Sequence, residues 1–122
     1  MTRLAQLKLE DDGGVTVATV EGEIDLSNAA GLEMAISNAV ANQALGLVVD
    51  LASVDYLDSA GVTLLFNLAR RVSRRQQQFM VVVPREAHVR EILSLSGATD
   101  ALALQDSLDD AMSQLDRSQL DR

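Results

Sequence analysis

The chain has 122 residues and a formal net charge of −8, with 48% hydrophobic residues, only 2% aromatics and no cysteine. That is the make-up of one globular domain able to bury roughly two thirds of its unfolded surface, with a core of Leu, Val, Ile, Ala and Met. The lack of cysteine excludes disulfides, thiolate metal sites and thiol nucleophiles, and the acidic balance disfavours nucleic acid and anionic membranes.

The first residues, MTRLAQLKLEDD, lack the apolar run of a signal peptide, and no stretch approaches the about 18 apolar residues of a membrane span. A soluble, cytoplasmic protein with no direct membrane insertion is expected. LAQLKLE (4–10) and VTVATVEG (15–22) each alternate apolar and polar residues about Gly13-Gly14, which predicts a β-hairpin forming a half-buried edge of a sheet. From Ser27 the period changes. Leu32, Ala35, Ile36, Ala39 and Val40 fall on one face of a helix that Ser27 is placed to cap. LGLVVDL (45–51) is a continuous apolar run, the pattern of a strand covered on both faces.

After a polar corner, Asp58-Ser59-Ala60-Gly61, helical spacing returns with Val62, Leu65, Phe66, Ala69 and Val72, and Arg70, Arg71, Arg74 and Arg75 crowd the last turns. Cations suit that end of a helix, and without interleaved aromatics they read as a solvated helix end rather than a nucleic-acid patch. FMVVV (79–83) predicts a second buried strand, stopped by Pro84. A helix over about 85–96 with Val89, Ile92 and Leu93 inward is closed by Gly97 as a left-handed cap. ALALQ predicts a short strand, and Ser107 with Asp110 resembles a capping box for a last helix bearing Leu108, Ala111, Met112 and Leu115. The chain thus reads as a single α/β domain over 1–117: a mixed central sheet with a hairpin start and about four helices mainly on one face, then a frayed tail, 118–122.

Ser59 has two readings. It is a helix N-cap, a role worth about 1 kcal/mol, or it is used chemically, because a strand-to-helix corner holds a side chain in the open. A nucleophile elbow is excluded: the sequence is L-D-S-A-G rather than G-x-S-x-G, and the only histidine, His88, lies on an Arg/Glu helix face. A phosphoaccepting receiver needs a late lysine and an early acidic pair, whereas the only lysine is Lys8 and Asp11-Asp12 sits in a hairpin. A serine phosphorylated by another protein fits: a helix start tolerates an anion, while about −1.5 to −2 added charges would disturb any interface centred there.

These residues resemble the STAS-domain anti-sigma factor antagonists of bacteria, over nearly the whole chain. The specific part is VVDLASVDYLDSAGVTLL, with GEID (22–25) and the Ser-Gly of LSLSG as further matches. The resemblance implies that Ser59 is the phosphoacceptor, that Asp58 precedes it and Gly61 closes the turn, and that Asp25 lies near it on a partner-binding surface with Ala60. Thr63 stands where many members carry glycine or another small residue, and it reads as a second acceptor, a contact residue or a tolerated helix position. The implied partners are an anti-sigma factor of serine-kinase fold, which binds the unphosphorylated protein and phosphorylates it with ATP and magnesium, and a serine phosphatase that resets it. The chain has neither a P-loop nor a Gly-rich nucleotide fingerprint, so it is expected to be the substrate, not an enzyme, with no cofactor of its own. The alternative within the same family is a STAS subunit bracing a lipid-handling ABC transporter or a stress-sensing scaffold without a phospho-switch.

Overall fold

The two alternating stretches around Gly13-Gly14 pair antiparallel as β1 (Gln6–Asp12) and β2 (Val15–Ile24) in a computed structural model that describes residues 5–115. After α1 (Ala29–Ala39) come β3 (Gly46–Leu57), α2 (Ser59–Arg74) and β4 (Gln78–Val82). The chain then forms α3 (His88–Leu95), α4 (Ala98–Ala101), β5 (Leu104–Gln105) and α5 (Leu108–Gln114). The strands order as β1-β2-β3-β4-β5, with β1 antiparallel to β2 and every later pair parallel. The sheet is therefore mixed, as the chain order of elements implies.

Four helices cover one face. Leu32 and Ile36 of α1, Leu64, Leu65 and Leu68 of α2, Val89 and Leu93 of α3, and Ala98 of α4 share a core with Ala18, Val20, Leu47, Val49 and Val81. On the opposite face α5 covers a smaller cluster of Val15, Val17, Val48, Met80 and Val82 with Ala111 and Leu115. The central strand β3 is buried on both sides over its first half, as a continuous apolar run requires.

Several expectations need correction. β3 does not stop at Leu51 but continues to Leu57, through the largely exposed residues 52–56, because its second half pairs with the bulged end of β2. The buried stripe of α2 is Gly61, Leu64, Leu65, Leu68 and Val72, rotated from the expected one; Val62, Phe66 and Ala69 only lean on the core. On α1, Leu32, Ile36 and Val40 are buried, whereas Ala35 and Ala39 face water. Ser27 does not cap that helix: Asn28 holds the cap position, and its side chain accepts no hydrogen bond from the helix amides. The helix expected over 85–96 begins only at His88, and ALALQ shortens to Leu104–Gln105 because a one-turn helix, α4, takes its start. Gly97 does adopt the left-handed conformation, with φ of 74°. Ser107 accepts a hydrogen bond from the Asp110 amide at 3.1 Å, as an N-cap should. Residue 4 of the first expected strand and the tail at 118–122 lie outside the described residues.

Candidate partner-binding site

β2 and β3 are parallel neighbours whose last paired residues are Ile24 and Leu57. The residues that follow, Asp25 and Asp58, therefore leave the sheet side by side at its carboxyl edge, where loops of open α/β sheets gather functional groups. The Asp58 N–H donates to the Ile24 carbonyl at 3.1 Å, which carries the pairing one residue further.

Asp58, not Ser59, caps α2. Its backbone is extended, and its Oδ1 accepts from the amides of Ala60 at 2.8 Å and Gly61 at 3.2 Å. Its carbonyl accepts the Val62 amide at 3.1 Å, the first bond of the helix. Both Asp and Ser are good capping residues, and the extended φ/ψ of Asp58 decides between them. Ser59 becomes the first helical residue. It is exposed, and its hydroxyl is engaged by no group among the described residues. Asp58 already satisfies the amides of Ala60, Gly61 and Val62, so an anion at this helix start is tolerated through the dipole rather than by those amides.

The other carboxylate oxygen of Asp58 reaches across to the neighbouring loop, where Oδ2 accepts from the Leu26 amide at 3.1 Å. One side chain thus fastens two chain segments 32 residues apart. The loop at 25–28 is fastened at further points. Asp25 Oδ1 accepts from both the amide and the hydroxyl of Ser27, the Asp25 amide donates to Asn28 Oδ1 at 3.0 Å, and Asn28 Nδ2 donates to the Glu23 carbonyl at 2.9 Å. The Ser27 hydroxyl, with lesser help from the Ser27 and Asn28 amides, holds the Asp25 carboxyl below its ordinary pKa. Asp25 acts on its own turn rather than as an acid in the first turn of α1.

Gly61 does not close a turn. It lies inside α2, buried, where an added Cβ would stand 2.8 Å from Leu57 Cβ and 3.2 Å from Ile24 Cγ2. Its bare backbone lets the start of α2 lie against the ends of both strands. Ala60 is half-buried against the core, and Thr63 is exposed one turn beyond Ser59, on the same side of the helix. All six expected site residues therefore gather at this edge. Reading the sequence missed Leu26, Ser27 and Asn28 as parts of it; the run Asp-x-Ser-Asn, rich in side chains that bond nearby backbone, was the available signal. His88 lies elsewhere, on an exposed helix start, with Nδ1 3.9 Å from Glu91. Among the described residues no three His, Cys, Asp or Glu side chains gather to hold a metal ion, and no helix is long and apolar enough to cross a membrane.

The STAS domain family matches residues 6–111. The anti-sigma-F factor antagonist RsfB of Mycobacterium tuberculosis is 35% identical over 112 residues, spanning 92% of this chain and 90% of that protein. This chain belongs to the STAS-domain anti-sigma factor antagonists. A crystal structure of an anti-sigma factor antagonist from Mycobacterium paratuberculosis is 34% identical and superposes with a TM-score of 0.82, covering 92% of this chain and 94% of that one. The Bacillus cell fate determinant SpoIIAA in its phosphorylated form, at 18% identity, shares the STAS fold with a TM-score of 0.67, covering 91% of this chain and all of that one.

Proposed function

We propose that this protein antagonises an anti-sigma factor of serine-kinase fold in the cytoplasm. The unphosphorylated form binds that factor and frees its sigma factor. Phosphorylation of Ser59 by the bound kinase ends the binding, and a serine phosphatase restores it. The observation that carries this reading is the position of Ser59: an exposed, unengaged hydroxyl at the first residue of α2, on a corner fastened by Asp58. In the transfer, Ser59 Oγ would bond to the γ-phosphorus of ATP held with magnesium on the partner, ADP would leave, and the hydroxyl proton would pass to the partner's base. The chain's part is to present the hydroxyl.

The same geometry favours a switch acting on binding rather than on folding. A phosphate brings about −1.5 to −2 charges beside a carboxylate that already holds the helix amides. In water the modified protein keeps its fold. Against a partner, the like charges and lost hydration cost several kcal/mol, and each 1.4 kcal/mol is tenfold in affinity. Asp25 and Thr63 complete the contact surface around the acceptor, and Ala60 and Gly61 shape it.

The test is capture from source-cell lysate on wild-type, Ser59→Ala and Ser59→Asp baits, followed by purification of the captured protein and direct titration. A kinase-fold protein held by wild type and Ser59→Ala but at least about a hundredfold more weakly by Ser59→Asp is the expected result. Equal capture by all three baits, or capture of an ABC ATPase, would overturn the reading.

A further inference from the structure

We propose that Leu26 is an apolar anchor that enters a hydrophobic socket on the partner, beside the place where that partner receives Ser59. Leu26 is 83% exposed, one of five large hydrophobic residues that face water among the described residues, with Leu9, Met34, Tyr56 and Leu95. Exposure alone says little, since single apolar side chains on a surface are ordinary. What separates Leu26 from the rest is how it is held.

Its amide is bound by Asp58 Oδ2, the carboxylate whose other oxygen caps the helix that begins with Ser59. The residues on both sides are fastened as well, Asp25 through Asn28 and Ser27 through Asp25. The backbone is thus fixed on every side while the side chain is left in water. Met34 sits midway along α1, Leu95 ends α3, and Leu9 and Tyr56 lie on strands; none of these is bonded to the carboxylate that carries the acceptor helix.

An apolar side chain on a pre-ordered backbone costs only its own rotamer freedom on binding and no further ordering of the loop, which is what makes a contact effective. Beside it stand the chain neighbours Asp25 and Ser27 and, across the corner, Asp58, polar groups next to an apolar side chain, as in protein interfaces. The occupant this geometry calls for is a protein pocket lined by apolar side chains. A nucleic acid would meet carboxylates here, and a membrane would find one leucine among acids. The inference rests on the reading of Ser59 as the partner-facing acceptor, and it adds a contact that carries affinity without carrying the phosphate.

The test uses the purified kinase-fold partner captured by the wild-type bait, titrated against full-length Leu26→Ala, Leu26→Asn, Leu26→Met and, as a control of equal exposure, Leu95→Ala. Leu26→Ala should weaken binding about tenfold to a hundredfold and raise the KM for Ser59 phosphorylation by a similar factor while leaving kcat unchanged. Leu26→Met should restore most of the affinity, Leu26→Asn should not, and thermal stability should be unaltered because the side chain is in water. Binding by Leu26→Ala within twofold of wild type would overturn the proposal, as would an equal loss in Leu95→Ala. Failure of the underlying reading would show separately, as equal binding of wild type and Ser59→Asp.

Discussion

Gly61 offers the sharpest test of how the corner at Asp58 and Ser59 is built, because two opposing effects meet there. Alanine is favoured over glycine within a helix by up to about 1 kcal/mol. Against this, the new methyl carbon would lie 2.8 Å from Leu57 Cβ and 3.2 Å from Ile24 Cγ2, both on side chains only 1% exposed. Leu57 Cβ is attached directly to β3, and Leu57 is paired with Ile24 of β2, so relief requires moving two strand ends rather than turning one side chain. Overpacking of this kind costs about 1–3 kcal/mol. The clash should win, and Gly61→Ala should be destabilised by about 0.5–2 kcal/mol, lowering Tm by about 2–8 °C for a domain of this size. Gly31, on the same face of the sheet but on α1, is the control: nothing lies within 4 Å of its would-be Cβ, so Gly31→Ala should gain a few tenths to about 1 kcal/mol. Urea unfolding followed by circular dichroism measures both. A Gly61→Ala protein as stable as wild type, or more so, would refute the close approach of α2 to the strand ends.

Asp58→Asn should retain the cap through its one carbonyl oxygen, since asparagine caps as well as aspartate, but this turns its NH2 toward the Leu26 N–H, donor against donor; a loss of about 1 kcal/mol is expected, against about 2–3 kcal/mol for Asp58→Ala, both read by urea unfolding. Faster hydrogen exchange at the Leu26 amide in both variants would locate the loss. Ser59→Asp should shift stability by no more than about 0.5 kcal/mol, because the favourable helix dipole is offset by the Asp58 carboxylate; a large loss of stability would mean that the switch acts by unfolding. Asp25 should titrate below the ordinary carboxylate range, and Ser27→Ala should raise its midpoint, both followed by carboxyl NMR. Its folded pKa is depressed, so its contribution to stability is present above the unfolded carboxylate pKa and is lost as pH falls through the folded value.

Much of the fold was legible because it follows from local periodicity. The hairpin, the doubly buried run at the start of β3, the left-handed Gly97 and the Ser107 cap all rest on residues within a few positions of each other. What was not legible depended on distant partners. Of residues 52–56 only Val54 is buried while the other four are exposed, too sparse an apolar pattern to announce a strand, and they form one because β2 runs alongside them. The segment of α2 from Val62 to Ala69 is apolar on most sides, so more than one stripe fits its spacing; contact of Gly61 with Ile24 and Leu57 sets the actual rotation. The site followed the same rule. Asp58, Ser59 and Gly61 announce a strand-to-helix corner, whereas an exposed Leu26 reads in sequence like any core leucine.

The order of Asp58 and Ser59 then has a physical reason of its own. Either residue can cap a helix, and whichever does so commits a side-chain oxygen to backbone amides and turns it toward the helix axis. With the carboxylate one position earlier, Oδ1 takes the Ala60 and Gly61 amides, Oδ2 takes Leu26, and the serine is moved to the first helical position with its oxygen unspent. A capping serine would have had to surrender a bond worth about 1 kcal/mol before its hydroxyl could reach another molecule. The aspartate removes that requirement and fixes the backbone that carries the hydroxyl, so the corner is rigid in its backbone while the hydroxyl stays free, which is what the proposed phosphorylation needs. The same carboxylate stands beside any charge added to Ser59, so in the proposed switch one residue both frees the hydroxyl and sets a like charge against its modified form.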